Sequence, residues 1–127
     1  MKTPVAKLTG RALDYAVALA EGGTNLQYDT VATYWITING KDLALSSGWA
    51  ASMSFAPSSS SVGDDIIDRE MISTTVEHSG VWLAYMGFNL GDEKRCMVVG
   101  STRREAAMRC YVASKLGAEV EIPKELA

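Results

Sequence analysis

The stretch Gly100-Ser101-Thr102-Arg103-Arg104-Glu105-Ala106-Ala107-Met108-Arg109-Cys110-Tyr111 decides how this chain reads. Thr102 followed by Glu105 is a capping box, in which each side chain satisfies a backbone donor of the other residue. A small-residue stripe follows at Ala106, Ala107, Cys110, Tyr111 and Ser114, and Gly117 supplies the stop. Immediately before the glycine, residues 95–99 read as a strand. Strand, glycine turn and helix in direct succession indicate a helix packed back onto a sheet.

Working outward, the other elements agree with this. Thr9 is placed to cap a first helix whose apolar face is Ala12, Leu13, Ala16, Val17 and Ala20, with Gly22 and Gly23 ending it. Residues 31–38 are rich in β-branched and aromatic side chains. Ala32, Tyr34, Ile36 and Ile38 fall on one face, and Val31, Thr33, Trp35 and Thr37 on the other. Asn39-Gly40 is a two-residue hairpin signal, so residues 41–45 form the return strand. Residues 46–63 form a serine-rich loop. It contains Pro57; Trp49 and Phe55 are expected to fold it back onto the domain, and the run 58–61 is expected to be exposed. A short helix over 63–72 points Ile66, Ile67 and Met71 inward. Residues 73–76 and 81–88 are further strands, the second placing Trp82 in the core, and 119–123 alternate as an edge strand. The fold class is α+β: a mainly antiparallel β-sheet with two main helices, N-terminal and C-terminal, packed on one face. The 127 residues are expected to form a single domain, 1–127, without internal repeats.

Composition removes several function classes. The chain is 47% hydrophobic and 21% charged, with a net charge of −3. That sign opposes non-specific binding to nucleic acid or to an anionic membrane. No window approaches eighteen apolar residues, and the first residues lack a signal-peptide core. A cytoplasmic protein is expected. Cys96 and Cys110 are isolated thiols, expected to be reduced and half-buried. His78 is the only histidine, and there is no GxSxG, HExxH or P-loop. No catalytic residue, metal or cofactor is expected.

Two charged clusters remain. Asp64, Asp65, Asp68 and Glu70 precede the strand expected over 73–76. Asp64 and Asp68 share a helical face and would suit Mg²⁺, although acids in a first turn also complement the helix dipole. Arg69 is either the ion-pair partner of Glu70 or a ligand clamp. The second cluster is Ser101, Thr102, Arg103 and Arg104. A helix start favours an anion, and two arginines there oppose the macrodipole unless an anion lies between them. Between residues 94 and 115 there are six basic residues and one acidic. The structural alternative is that both arginines extend into water or pair with the acids at 64–70. Trp35 and Trp49 are candidates for stacking on a base. Pro57 and Ser58 of the loop and Arg69 complete the expected ligand-binding set.

The segment Leu8-Thr9-Gly10-Arg11-Ala12-Leu13-Asp14-Tyr15-Ala16-Val17-Ala18 resembles the opening of the phage NinX-like family. The ending from Ala106 through Gly117 and Glu119-Val120-Glu121-Ile122-Pro123 resembles its C-terminus. Phe55-Ala56-Pro57-Ser58 and Ile66-Ile67-Asp68-Arg69-Glu70 resemble its middle. The resemblance covers nearly the whole chain and implies a phage accessory protein, working in the host cytoplasm, with no catalytic residue. Tyr15 stands where relatives tend to have tryptophan. A serine run replaces an Asp-Trp pair, and no proline precedes Ile66-Ile67. A ligand held by that loop would therefore differ here. The expected function is non-catalytic binding of a small nucleotide-like anion, as in a sponge for a host immune signal. The alternatives are a protein–protein inhibitor or adaptor acting on a host component, and an accessory factor in phage DNA recombination. The partners expected are the anion or a host protein, and a second copy in a homo-oligomer, dimer or higher. Membrane and nucleic acid are not.

Overall fold

The computed structural model describes residues 2–28, 33–45, 53–86 and 96–126. In chain order these form β1 (Lys2–Pro4), a 3₁₀ turn (Val5–Lys7), α1 (Gly10–Ala20), β2 (Thr24–Tyr28), β3 (Tyr34–Ile38) and β4 (Lys41–Ala44). Then follow α2 (Ser61–Glu70), β5 (Ser73–Val76), β6 (Trp82–Met86), β7 (Cys96–Gly100), α3 (Arg103–Leu116), β8 (Glu119–Glu121) and a 3₁₀ turn (Lys124–Leu126). The class is α+β. The strands do not form one continuous sheet; they form three antiparallel ones, ordered β1-β8, β2-β3-β4 and β5-β6-β7.

Two strands lie outside the sequence expectation, and their side chains explain why. β1 and β2 are exposed along nearly their whole length, so no apolar alternation marks them. The β3–β4 hairpin is as expected. Asn39 and Gly40 both take positive φ, +52° and +80°, which is what a two-residue turn matched to strand twist requires. Ile36 and Ile38 face the core.

α3 lies between the β5–β6–β7 sheet and the other two helices, touching β5, β6, β7, α1 and α2. A helix on a surface buries one stripe. Here residues 106 through 112 are all buried, and seven consecutive positions cover every direction around the axis. The expected stripe is thus too narrow on one side and too long on the other, since Ser114 is exposed. Leu13, Ala16 and Val17 of α1, Ile66 and Ile67 of α2, and Ala84 of β6 complete the core. Small side chains let the elements approach closely. A Cβ on Gly100 would sit 2.5 Å from the Ala106 backbone nitrogen, so only glycine fits where β7 passes the start of α3.

Three local expectations change. Met71 does not point inward. It follows the last residue of α2 in a left-handed conformation, φ +55°, which turns its side chain outward to 64% exposure. The serine-rich loop is shorter than 46–63, because residues 61–63 belong to α2. Of the serine run, Ser59 and Ser61 are exposed, but Ser58 and Ser60 are partly buried behind buried Phe55, Ala56 and Pro57.

Candidate functional site

The start of α3 is built by its cap. Thr102 is extended, and its Oγ1 accepts the Glu105 amide at 3.1 Å. The return arm lands one residue early. Glu105 Oε1 accepts from the amide and the hydroxyl of Ser101, at 3.0 and 3.1 Å. The same oxygen meets Arg109 Nη2 at 3.2 Å. Arg109 is only 7% exposed. It donates Nε to the Leu8 carbonyl at 2.8 Å and Nη1 to the Val99 carbonyl at 2.9 Å. Sequence reasoning did not single it out. The available signal was an arginine set between buried-type residues of a helix.

Arg103 and Arg104 leave this cap toward α2. Arg104 grips Asp64 with both prongs, Nε to Oδ1 at 3.1 Å and Nη2 to Oδ2 at 2.7 Å. This is the fork geometry with which arginine also binds phosphate. Arg103 donates Nε to Thr74 Oγ1 at 3.1 Å and approaches Asp64 Oδ1 with Nη1 at 3.8 Å. The bond from Arg104 holds the Asp64 carboxyl below the usual carboxylate range, and Asp64 in turn raises Arg104. Asp64 therefore stands where an anion between the arginines would stand. Among the described residues, two guanidiniums share one carboxylate, which leaves one positive charge over. Asp65 and Asp68 are exposed, and Glu105 answers to Arg109. Asp64 is thus engaged by arginine rather than paired with Asp68. Among the described residues, no group of three or more His, Cys, Asp or Glu is placed to hold a metal ion.

The Pro57–Ser58 turn joins this corner. A Cβ on Gly63 of α2 would lie 2.1 Å from the Pro57 carbonyl oxygen and 3.6 Å from Arg104 Cγ. Pro57, Gly63 and Arg104 are therefore immediate neighbours. Ser58 donates its amide to Asp14 Oδ1 at 2.8 Å, tying the turn to α1. Asp14 is 5% exposed. Burial pushes its pKa up to about 6, against the lowering effect of the Ser58 amide and hydroxyl. Ser60 sits at the N-cap of α2 without a side-chain cap bond, and its buried hydroxyl has no hydrogen-bond partner among the described residues.

The structure thus gathers Pro57, Ser58, Ser101, Thr102, Arg103 and Arg104 around the meeting point of the α2 and α3 starts. It adds Asp14 and Thr74, which the sequence did not assign there, and of the acids at 64–70 it selects Asp64 as the arginines' partner. Arg69 lies at the far end of α2. It bonds Glu21 at 2.8 Å, Glu70 at 2.9 Å and the Tyr111 hydroxyl at 3.2 Å, and so staples three helices together. Burial, and next the nearby Glu21, push the Tyr111 hydroxyl up to about 12. Trp35 is half-buried on the separate β2–β3–β4 sheet. Trp49 lies outside the described residues. His78 is exposed on the β5–β6 turn. A second basic helix start lies elsewhere. A groove of about 460 Å³ opens at the beginning of α1, lined by Lys7, Thr9 and Arg11 among others, and Thr9 makes no cap bond there.

The sequence model of the family described as bacteriophage P22, NinX matches residues 4–115, from β1 to the last turn of α3. The chain belongs to this NinX family. Both helix starts of the corner, the Pro57–Ser58 turn and the buried Asp14 and Arg109 fall inside the matched span. No curated protein matches the chain. Among the described residues of this NinX-family protein, no helix is long and apolar enough to cross a membrane.

Proposed function

We propose that this protein binds a small anionic ligand without catalysis, at the corner formed by Ser101, Thr102, Arg103, Arg104, Pro57 and Ser58. The observation that carries the reading is that Arg103 and Arg104 share the single carboxylate of Asp64. A phosphate can take the Arg104 fork from Asp64 and satisfy both guanidiniums with more charge than a carboxylate brings. Ser58, Ser101 and Thr74 place hydroxyls nearby. The phage family supplies the setting. A nucleotide-derived host immune signal, sequestered in the host cytoplasm, is the ligand class this reading favours.

The test is a thermal-shift screen with linear and cyclic nucleotides, using inorganic phosphate and pyrophosphate as controls. Binding to the native state adds about 2.7 kcal/mol of stability at one hundred times Kd. A rise of several degrees for one nucleotide class, absent in the Arg103→Ala/Arg104→Ala protein, is expected. No shift with any nucleotide or phosphate would overturn the reading.

A second reading, a protein–protein inhibitor, is favoured by Val99, 47% exposed on the face of the β5–β6–β7 sheet opposite buried Ala84, with Val81, 37% exposed, just before β6. Recovery of one host protein with the purified chain, abolished by Val99→Lys, would support it.

A further inference from the structure

Among the described residues, Asp14 and Arg109 are the buried charged side chains. Arg109 is answered by two carbonyls and Glu105. Asp14 has no such answer. It sits on α1 among Leu13, Ala16, Val17 and Ala18, all at 0% exposure. Its bonds come from Ser58, through the amide at 2.8 Å and through the hydroxyl. The charged groups on the surrounding elements are committed elsewhere. Arg11 of α1 lies over the Tyr34 ring at 4.8 Å, Arg104 of α3 is forked onto Asp64 of α2, and Arg103 bonds Thr74. Tyr15 of α1 brings no charge, and burial pushes its hydroxyl further above the ordinary value. Among the described residues, no cation neutralises Asp14 within its pocket.

We propose that the Asp14–Ser58 contact is a proton-sensitive latch on the turn carrying Pro57 and Ser58, closing as Asp14 takes up a proton and loosening as it ionises. The proposal rests on the ligand reading only in treating that turn as part of the site. Two effects oppose each other. Ser58 donates more strongly to a carboxylate than to a carboxylic acid, which favours ionisation. Loss of water disfavours the carboxylate, and here it is the larger effect, so the closed turn holds its proton up to about pH 6. The state that holds the proton more tightly gains as pH falls. Below pH 6 the closed turn is therefore favoured. Above it, the ionised Asp14 gains by hydration when the turn lifts. Pro57 abuts Gly63 beside Arg104, so lifting the turn reshapes the corner where the anion is proposed to bind.

The experiment uses the full chain without ligand. The Asp14 carboxyl carbon and the Ser58 amide are followed by NMR from pH 4 to 8, together with amide exchange corrected for its intrinsic pH dependence. The expected result is an Asp14 midpoint near 6, a Ser58 amide shift with the same midpoint, and greater Ser58 protection at pH 5 than at pH 7.5. Asp14→Asn should leave Ser58 protection independent of pH. Ser58→Ala keeps the amide and removes the hydroxyl, so it should raise the Asp14 midpoint, and it decides the matter if Asp14→Asn does not fold. An Asp14 midpoint near 4, or a Ser58 amide indifferent to the titration, would overturn the latch. Either outcome is independent of the nucleotide screen, which tests the ligand reading alone.

Discussion

Arg109 donates its Nε to the backbone carbonyl of Leu8 at 2.8 Å, across 101 positions of sequence. With its Nη1 on Val99 and its Nη2 on Glu105, it joins the entry of α1, the end of β7 and the cap of α3 through one side chain. Removing a buried charge partner of this kind costs roughly 3–5 kcal/mol, because the groups left behind stay buried and unpaired. Arg109→Ala should therefore lower stability by about that amount in urea unfolding. Arg109→Lys should recover little, since one ammonium cannot serve three acceptors in that fan. A loss below about 1 kcal/mol for the alanine variant would contradict this role.

Asp64 and the ligand are expected to compete for Arg104. Asp64→Asn removes the competing charge, so it should tighten binding of whichever nucleotide or phosphate the screen selects, by several-fold. Arg104→Ala should weaken it at least tenfold. Isothermal titration of the two variants gives changes of opposite sign if the corner is the site. Changes of the same sign would place the site elsewhere.

Asp14 makes a second, global prediction. Its proton is held up to about pH 6 in the folded chain, against 3.8 for an ordinary aspartate. The native state thus binds more protons than the unfolded state between those values. Stability from this group rises as pH falls from about 7 to 4 and is lost again as pH rises through 6. The size is about 3 kcal/mol at most. Wild type minus Asp14→Asn, measured by urea midpoints at each pH, should show that slope. A flat difference would rule it out.

Gly63 reverses a familiar rule. Alanine in place of a helical glycine usually stabilises by roughly 0.5–1 kcal/mol. At Gly63 the new methyl would meet the Pro57 carbonyl oxygen at 2.1 Å. Gly63→Ala should therefore destabilise, by about 1–3 kcal/mol, and should reduce Ser58 amide protection because the turn is pushed off α2. Thermal melting and amide exchange check both parts.

How far the fold was legible depended on where a side chain's reason lay. The cap of α3, the Asn39-Gly40 turn and the glycine end of α1 are local, so their residue types announce them. β1 and β2 are held by backbone pairing with partners far along or across the chain, Lys2 with Glu121 and Thr24 with Thr37, and their side chains carry no pattern. The corner was half legible. Arg103 and Arg104 stand out by opposing the helix dipole, and the acids at 64–70 are among the partners the sequence offers them. Nothing near Asp14 or Ser58 in sequence shows that they meet, because 44 positions separate them. Arg109 was hidden for the same reason. Two of its three acceptors are carbonyls, and every residue has a carbonyl.

The enclosure of α3 also bears on how the chain is made. A ribosome delivers residues in order, and α3 emerges after α1, α2 and seven of the eight strands. Until residues 103–116 are free, the faces of α1, α2 and β6 that will cover it have nothing to close on. The nascent chain can close its interior only after this helix has emerged, with Val120, Ile122 and Leu126 of the tail sealing it last.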